Sequence, residues 1–192
     1  MSARTADVAT AGGLTAEERR ALLRAARESI AAHFQRRQPQ LPPATGALAE
    51  NRGAFVTLHR RDGELRGCVG MMLADRPLLD TVARMAVASA TEDGRFEPVT
   101  GAELPGLTIE ISALGPLDPI RPEQVEVGRH GLLVSYAGRR GVLLPQVPVE
   151  HGWDRETFLC HTCRKAGLPA DTWQKPGVEL LGFTATVFGE EG

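Results

Sequence analysis

Glu64-Leu65-Arg66-Gly67-Cys68-Val69-Gly70 follows the turn dipeptide Asp62-Gly63 and the alternating run Ala54-Phe55-Val56-Thr57-Leu58-His59-Arg60. Asp-Gly between two such runs signals a two-residue type I′ hairpin. Ala54–Arg60 and Glu64–Val69 are therefore expected as paired antiparallel strands. With Asp62 and Gly63 as the loop, Arg61 faces Glu64, His59 faces Arg66 and Thr57 faces Cys68. Phe55, Thr57, His59, Arg66 and Cys68 then share one face, and Val56, Leu58, Leu65 and Val69 belong to a core-facing side. The first face gathers a thiol, an imidazole, a hydroxyl and a guanidinium. A guanidinium beside a thiol stabilises the thiolate and binds anions. The same residues also fit a plainer reading, a small buried cysteine with Arg66 paired to a carboxylate on an ordinary solvated face. Gly67 and Gly70 give up side-chain packing, which marks a bulge or a close approach of another group.

Working outward, Thr15 to Arg36 reads as a helix. Thr15 and Glu18 form a capping box, and Leu22, Leu23, Ala26, Ile30 and Phe34 recur at helical spacing. Pro39, Pro42 and Pro43 enforce an extended linker. Asp75 to Asp93 reads as a second helix with an apolar stripe of Leu78, Leu79, Val82, Met85, Ala86 and Ser89. Arg95, beside Phe96 in the loop that follows, either holds an anion or staples the loop. Leu107–Leu114 alternates, so Glu110 is a second polar candidate on a strand. Gly131–Tyr136 and Gly141–Val147 are expected as strands around a longer loop, Ala137-Gly138-Arg139-Arg140, with Gln146 placed for hydrogen bonding after a buried run. Asp154 caps a helix that Gly167-Leu168-Pro169 stops, and Val178–Phe188 is a final strand.

The chain has 192 residues, 42% of them hydrophobic, enough for one good-sized domain or two small lobes. A net charge of −2 argues against a dedicated nucleic-acid binder. No apolar run reaches the roughly 18 residues a membrane span needs. Residues 1–13 are small and polar and read as a disordered leader without the apolar core of a signal peptide. The odd count of three cysteines suggests no disulfide framework and points to a reducing cytoplasm. Cys160-His161-Thr162-Cys163 falls in mid-helix, whereas a redox CxxC opens a helix after a strand. Zinc would need two further ligands. No metal site is expected, and with no Walker motif or Rossmann fingerprint no bound cofactor is expected either.

Leu65-Arg66-Gly67-Cys68-Val69-Gly70 resembles the signature of the AMMECR domain. Further matching motifs follow in order: Arg95-Phe96-x-Pro98, Glu103-Leu104, Ile109-Glu110-Ile111-Ser112, Leu143-Leu144-Pro145-Gln146-Val147, Trp153-Asp154, Phe158-Leu159 and Cys163-Arg164-Lys165-Ala166-Gly167-Leu168. The similarity runs from about Leu14 to Phe188, nearest to the group called AmmeMemoRadiSam system protein A. It implies an α+β fold over residues 14–190, a single domain of two closely joined lobes with mainly antiparallel sheets and flanking helices. It also implies a role in a modification pathway shared with a Memo-like protein and a radical-SAM protein, and it carries the signature cysteine over to Cys68 and the signature arginine to Arg66.

Three functional expectations follow from these residues. In the first, Cys68 is the nucleophile of a group-transfer enzyme, Arg66 stabilises the thiolate or an anion, and His59 or Glu110 is the base. Thr57, Gly67, Gly70, Arg95 and Gln146 then line the substrate. In the second, the Cys68 groove binds a metabolite, a modified peptide or a partner without turnover. In the third, Cys68 and the glycines only let two layers pack closely.

Overall fold

The structure, a computed structural model, describes residues 13–73 and 75–190. Apart from Gly13, the leader expected over residues 1–13 lies outside them. The described residues form an α+β fold of two compact units, residues 13–114 with 186–190 and residues 115–185.

In the first unit, α1 (Ala16–Phe34) and α2 (Leu78–Thr91) pack on a four-stranded sheet. The sheet has the order β2-β1-β3-β8, from β1 (Ala54–Arg60), β2 (Leu65–Met71), β3 (Leu107–Leu114) and β8 (Ala185–Gly189). The Thr15–Glu18 capping box is formed: the Thr15 hydroxyl accepts from the Glu18 N–H and the Glu18 carboxylate accepts from the Thr15 N–H. Leu22, Ala26 and Ile30 of α1 share one core with Val82 and Ala86 of α2, Val56 and Leu58 of β1, and Ile109 and Ile111 of β3. The second helix starts three residues later than its sequence suggests. Pro77 is the N-cap, with ψ 145° outside helical space; Asn51 and Pro77 form a β-bridge, and the Leu78 N–H donates to the Glu50 carbonyl.

The β1–β2 hairpin corrects the expected register twice. A type I′ turn needs positive φ at both central residues, and of Asp62 and Gly63 only Gly63, at φ +85°, has it. The Gly63 N–H donates to the Arg60 carbonyl and the Arg60 N–H to the Glu64 carbonyl, so the loop holds three residues, Arg61 to Gly63. His59 therefore faces Leu65 instead of Arg66. A bulge follows: Leu58 pairs with Gly67, and Arg66 is left between the paired residues Leu65 and Gly67. The odd loop and the bulge displace the pairing in opposite directions, so Thr57 still faces Cys68. Leu65, expected in the core, is exposed opposite His59, and Arg66 is buried.

The second unit has a sheet of order β4-β7-β5-β6, from β4 (Asp118–Pro119), β5 (Gly131–Tyr136), β6 (Arg139–Leu143) and β7 (Glu179–Phe183). Its core joins Leu132 and Val134 of β5 to Phe158, Leu159 and Cys163 of α4 (Arg155–Lys165). The type I′ loop is found here: Tyr136 faces Arg139, and Ala137 and Gly138 both have positive φ, +49° and +76°. Gly141 lies against the Ala166 backbone, which an added Cβ would approach to 2.4 Å. The strand expected to run to Val147 ends at Leu143, and Gln146 begins the short helix α3 (Gln146–Glu150). The expected single strand Val178–Phe188 is two, β7 and β8, in different sheets, with Val187 exposed.

Candidate functional site

β1 alternates strictly: Ala54, Val56 and Leu58 are buried in the core while Phe55, Thr57 and His59 turn to the opposite face. Because β1 pairs with β2 on one side and β3 on the other, Thr57 lies between Cys68 and Glu110 in one cross-strand row. The neighbouring row towards the hairpin is Leu65, His59 and Thr108. The row on the other side is Gly70, Phe55 and Ser112. The sheet thus brings together Cys68, Thr57, Glu110 and His59. The Thr57 hydroxyl donates to the Cys68 sulfur at 3.2 Å. Glu110 is two strand spacings, about 10 Å of backbone, from Cys68, with Thr57 between them.

β2 is an edge strand, and its free edge at Cys68 is closed by two side chains. The Cys68 N–H donates to Asp93 Oδ2 at 2.8 Å, and Arg95 Nη2 lies 3.5 Å from the Cys68 carbonyl. Asp93 and Arg95 hold each other through Nε to Oδ1 at 2.9 Å and Nη2 to Oδ2 at 2.7 Å. Arg95 also sits over the Phe96 ring at 5.4 Å. The Arg95 guanidinium holds the Asp93 carboxyl well below the usual carboxylate range. In return Asp93 raises the Arg95 proton affinity above its ordinary value, and Cys68 adds the least of the contributions in the same direction. The guanidinium beside Cys68 is therefore that of Arg95.

Arg66 is placed elsewhere. Its Nη1 donates to the Glu97 carbonyl at 2.9 Å, and its Nε and Nη2 donate to the Glu103 carboxylate at 3.2 and 3.4 Å. Glu103 is held below its ordinary value, first by the Thr100 N–H and then by Arg66. The bulge that buries Arg66 takes it off the face that Cys68 shares with Thr57, which corrects the expected pairing of guanidinium and thiol.

The glycines of the signature serve packing. A Cβ on Gly67 would lie 2.2 Å from the Ser89 carbonyl oxygen of α2, and one on Gly70 would overlap the Phe55 ring at 2.1 Å. Ser89, expected as part of an apolar stripe, accepts from the Val69 N–H at 2.9 Å and reaches the Val56 carbonyl at 2.7 Å. Gln146 is an exposed residue of the second unit. The residues missed by sequence reasoning are Asp93 and Ser89. An Asp at a helix end followed by Gly and Arg is a detectable turn signal for the first. A lone serine in an apolar stripe is a weaker signal for the second.

In the second unit Cys163 is fully buried, and burial pushes its thiol up. His161 stacks on Trp153 at 3.9 Å, and His151 stacks on Trp153 at 4.7 Å. Among the described residues no group of three or more His, Cys, Asp or Glu side chains is gathered to hold a metal ion. No described helix is long and apolar enough to cross a membrane.

Comparison with known proteins agrees with this architecture. The AMMECR1 family model matches residues 23–188. A protein of Methanopyrus kandleri is 44% identical over 188 residues, covering 93% of this chain and 91% of the relative. One of Methanocaldococcus jannaschii is 40% identical over 185 residues, covering 92% of each. The crystal structure of an uncharacterized protein from Pyrococcus horikoshii is similar at a TM-score of 0.74 and 41% identity, over 88% of this chain and 90% of that one. By the family match over most of its length and by these full-length relatives, the chain belongs to the AMMECR1 family.

Proposed function

We propose that the chain is a group-transfer enzyme with Cys68 as nucleophile. The observation that carries this reading is the row Cys68–Thr57–Glu110 on the solvent side of the sheet, with the Thr57 hydroxyl on the sulfur. A half-exposed thiol that accepts a hydroxyl hydrogen bond and has a guanidinium at its backbone is equipped to attack a carbonyl carbon. In the first step Cys68 gives up its proton to Glu110 or His59 through water. The sulfur bonds to the acyl carbon, and the leaving group departs with its electron pair and takes up a proton. In the second step an acceptor nucleophile attacks the thioester, the C–S bond breaks, and the thiol is restored.

The resemblance in the signature supports a further part of the reading, that the chain works in one modification pathway with a Memo-like protein and a radical-SAM protein. A reducing cytoplasm suits it, since all three cysteines are free thiols. The test is iodoacetamide labelling at neutral pH, read by mass spectrometry, with Cys160 and the buried Cys163 as internal references. Labelling of Cys68 faster than that of free cysteine is expected; an equal or slower rate overturns the reading and favours a binding groove or a packing thiol.

A further inference from the structure

Two residues along β1 from Thr57, on the same face, Phe55 lays its ring over Gly70 of β2: a Cβ added to Gly70 would stand 2.1 Å from Phe55 Cδ1 and 2.2 Å from Cγ. Strand alternation puts Gly70 and Cys68 on that face together, about 7 Å apart along β2. The ring leans towards the strand of the thiol and away from its other row partner, Ser112 of β3. The helix-side core takes Ala54, Val56 and Leu58 from β1, whereas Phe55 faces the opposite way and is half-buried. The ring is thus committed to the face that carries Cys68, and a glycine that gives up its own side chain makes the room for it. The Gly115 N–H donates to the Thr184 carbonyl and the Glu190 N–H to the Ile109 carbonyl, so β8 lies antiparallel beside β3 and sets Val187 opposite Ser112. The row of Cys68, Thr57 and Glu110 carries the polar groups, and the next row carries an aromatic ring beside the thiol and the exposed Val187 at its far end.

We propose that the Phe55 ring is the apolar subsite of the Cys68 site, and that the acyl group transferred through Cys68 carries an uncharged apolar body that lies on that ring. An acyl carbon bonded to the Cys68 sulfur starts about 7 Å along the strand from Gly70 and the ring above it. Apolar groups touch at about 4 Å, so two or three further carbons reach the ring. Covering the open part of the ring removes apolar surface of both partners from water. The charges beside the thiol select against an anionic body: Arg95 is neutralised by Asp93, and Glu110 adds a carboxylate. The inference rests on the reading of Cys68 as the reacting group.

The experiment compares second-order alkylation rates at Cys68, read by mass spectrometry, for iodoacetamide and N-benzyl-2-iodoacetamide. It uses the full chain, Phe55→Thr, which keeps a β-branched residue on the strand, and Val187→Ser, exposed on the same face at the far edge of the sheet. Free cysteine supplies the reference ratio of the two rates. In the wild type the benzyl reagent should be favoured beyond that ratio by about fivefold, which one aromatic contact supplies. The preference should vanish in Phe55→Thr while the iodoacetamide rate stays near that of wild type, and it should persist in Val187→Ser. N-benzylacetamide, which cannot alkylate, should slow iodoacetamide labelling of wild-type Cys68 saturably where acetamide does not, a readout that needs no variant. Absence of both preference and protection in the wild type, or a preference unchanged in Phe55→Thr, overturns the subsite even if iodoacetamide labels Cys68 fast. A preference lost in Phe55→Thr beside a Cys68 that iodoacetamide labels no faster than free cysteine leaves an apolar surface at the thiol but overturns its assignment to a Cys68 substrate.

Discussion

The Thr57 hydroxyl donates to the Cys68 sulfur across 3.2 Å, between two strands whose pairing is displaced once by a three-residue loop and restored by a bulge. The contact predicts that Thr57→Val slows iodoacetamide labelling of Cys68. A hydrogen bond is worth about 1 kcal/mol, which corresponds to roughly fivefold in rate. Thr57→Ser should keep most of the wild-type rate. An unchanged rate in Thr57→Val, measured by mass spectrometry, means that the hydroxyl does not serve the sulfur.

Arg66 is buried and bound to Glu97 and Glu103, so its removal should act on stability. Arg66→Ala is expected to lose about 1–3 kcal/mol of unfolding free energy in urea, chiefly from the orphaned Glu97 carbonyl and lost packing. The Glu103 share is small, because that carboxylate is partly exposed. Cys68 labelling in the folded variant should stay within twofold of wild type. A large loss of labelling with little loss of stability would return Arg66 to the reacting group.

Gly67 and Gly70 differ in what a methyl group meets. At Gly67 it meets the backbone carbonyl of Ser89, which cannot turn away; at Gly70 it meets the Phe55 ring, a side chain. Gly67→Ala should therefore cost about 2–3 kcal/mol or more and Gly70→Ala less, as read by thermal denaturation. The reverse order would count against the packing assigned to α2 and β2.

Asp93 ties its acid response to Cys68. Its carboxyl is held below the ordinary value, so what it contributes is present in full above about pH 4 and is lost only as pH falls through the lower, folded value. The Cys68 amide proton, which Asp93 accepts, should keep its NMR shift from pH 7 to about 4 and move only below that. In Asp93→Asn the shift should stay flat. A midpoint at or above the ordinary carboxylate value would show that Arg95 does not hold Asp93.

Ala137 stands at a position that favours Asn or Gly. It carries φ +49° in the two-residue loop between β5 and β6. Ala137→Asn is expected to raise stability by about 0.5–1 kcal/mol. A loss of stability would show that the alanine methyl packs usefully in the turn.

The local rules reached far along this chain. The capping box at Thr15 and Glu18, the alternation of Ala54–Arg60 and Leu107–Leu114, and the Asp154 cap are short-range patterns, and each stands in the structure as its residues suggest. The face shared by Thr57 and Cys68 was legible for the same reason, strand periodicity. The two hairpin turns were not. Asp62-Gly63 has the composition of a type I′ turn and forms a three-residue loop, while Ala137-Gly138 lacks that signal and forms the type I′ turn. In the first hairpin Gly67 must meet the Ser89 carbonyl and Arg66 must reach Glu97 and Glu103; in the second Gly141 must lie on the Ala166 backbone. The sequence by itself determined the three long helices, the strands β1, β2, β3 and β5, the core-facing residues of β1 and β3, and the family. Only the tertiary structure decided that Arg66 is buried, that Arg95 stands beside Cys68, and that Arg60, Arg61 and His59 open on one cavity. Those outcomes depend on partners about 30 to 130 residues away, and no spacing rule along one strand contains them.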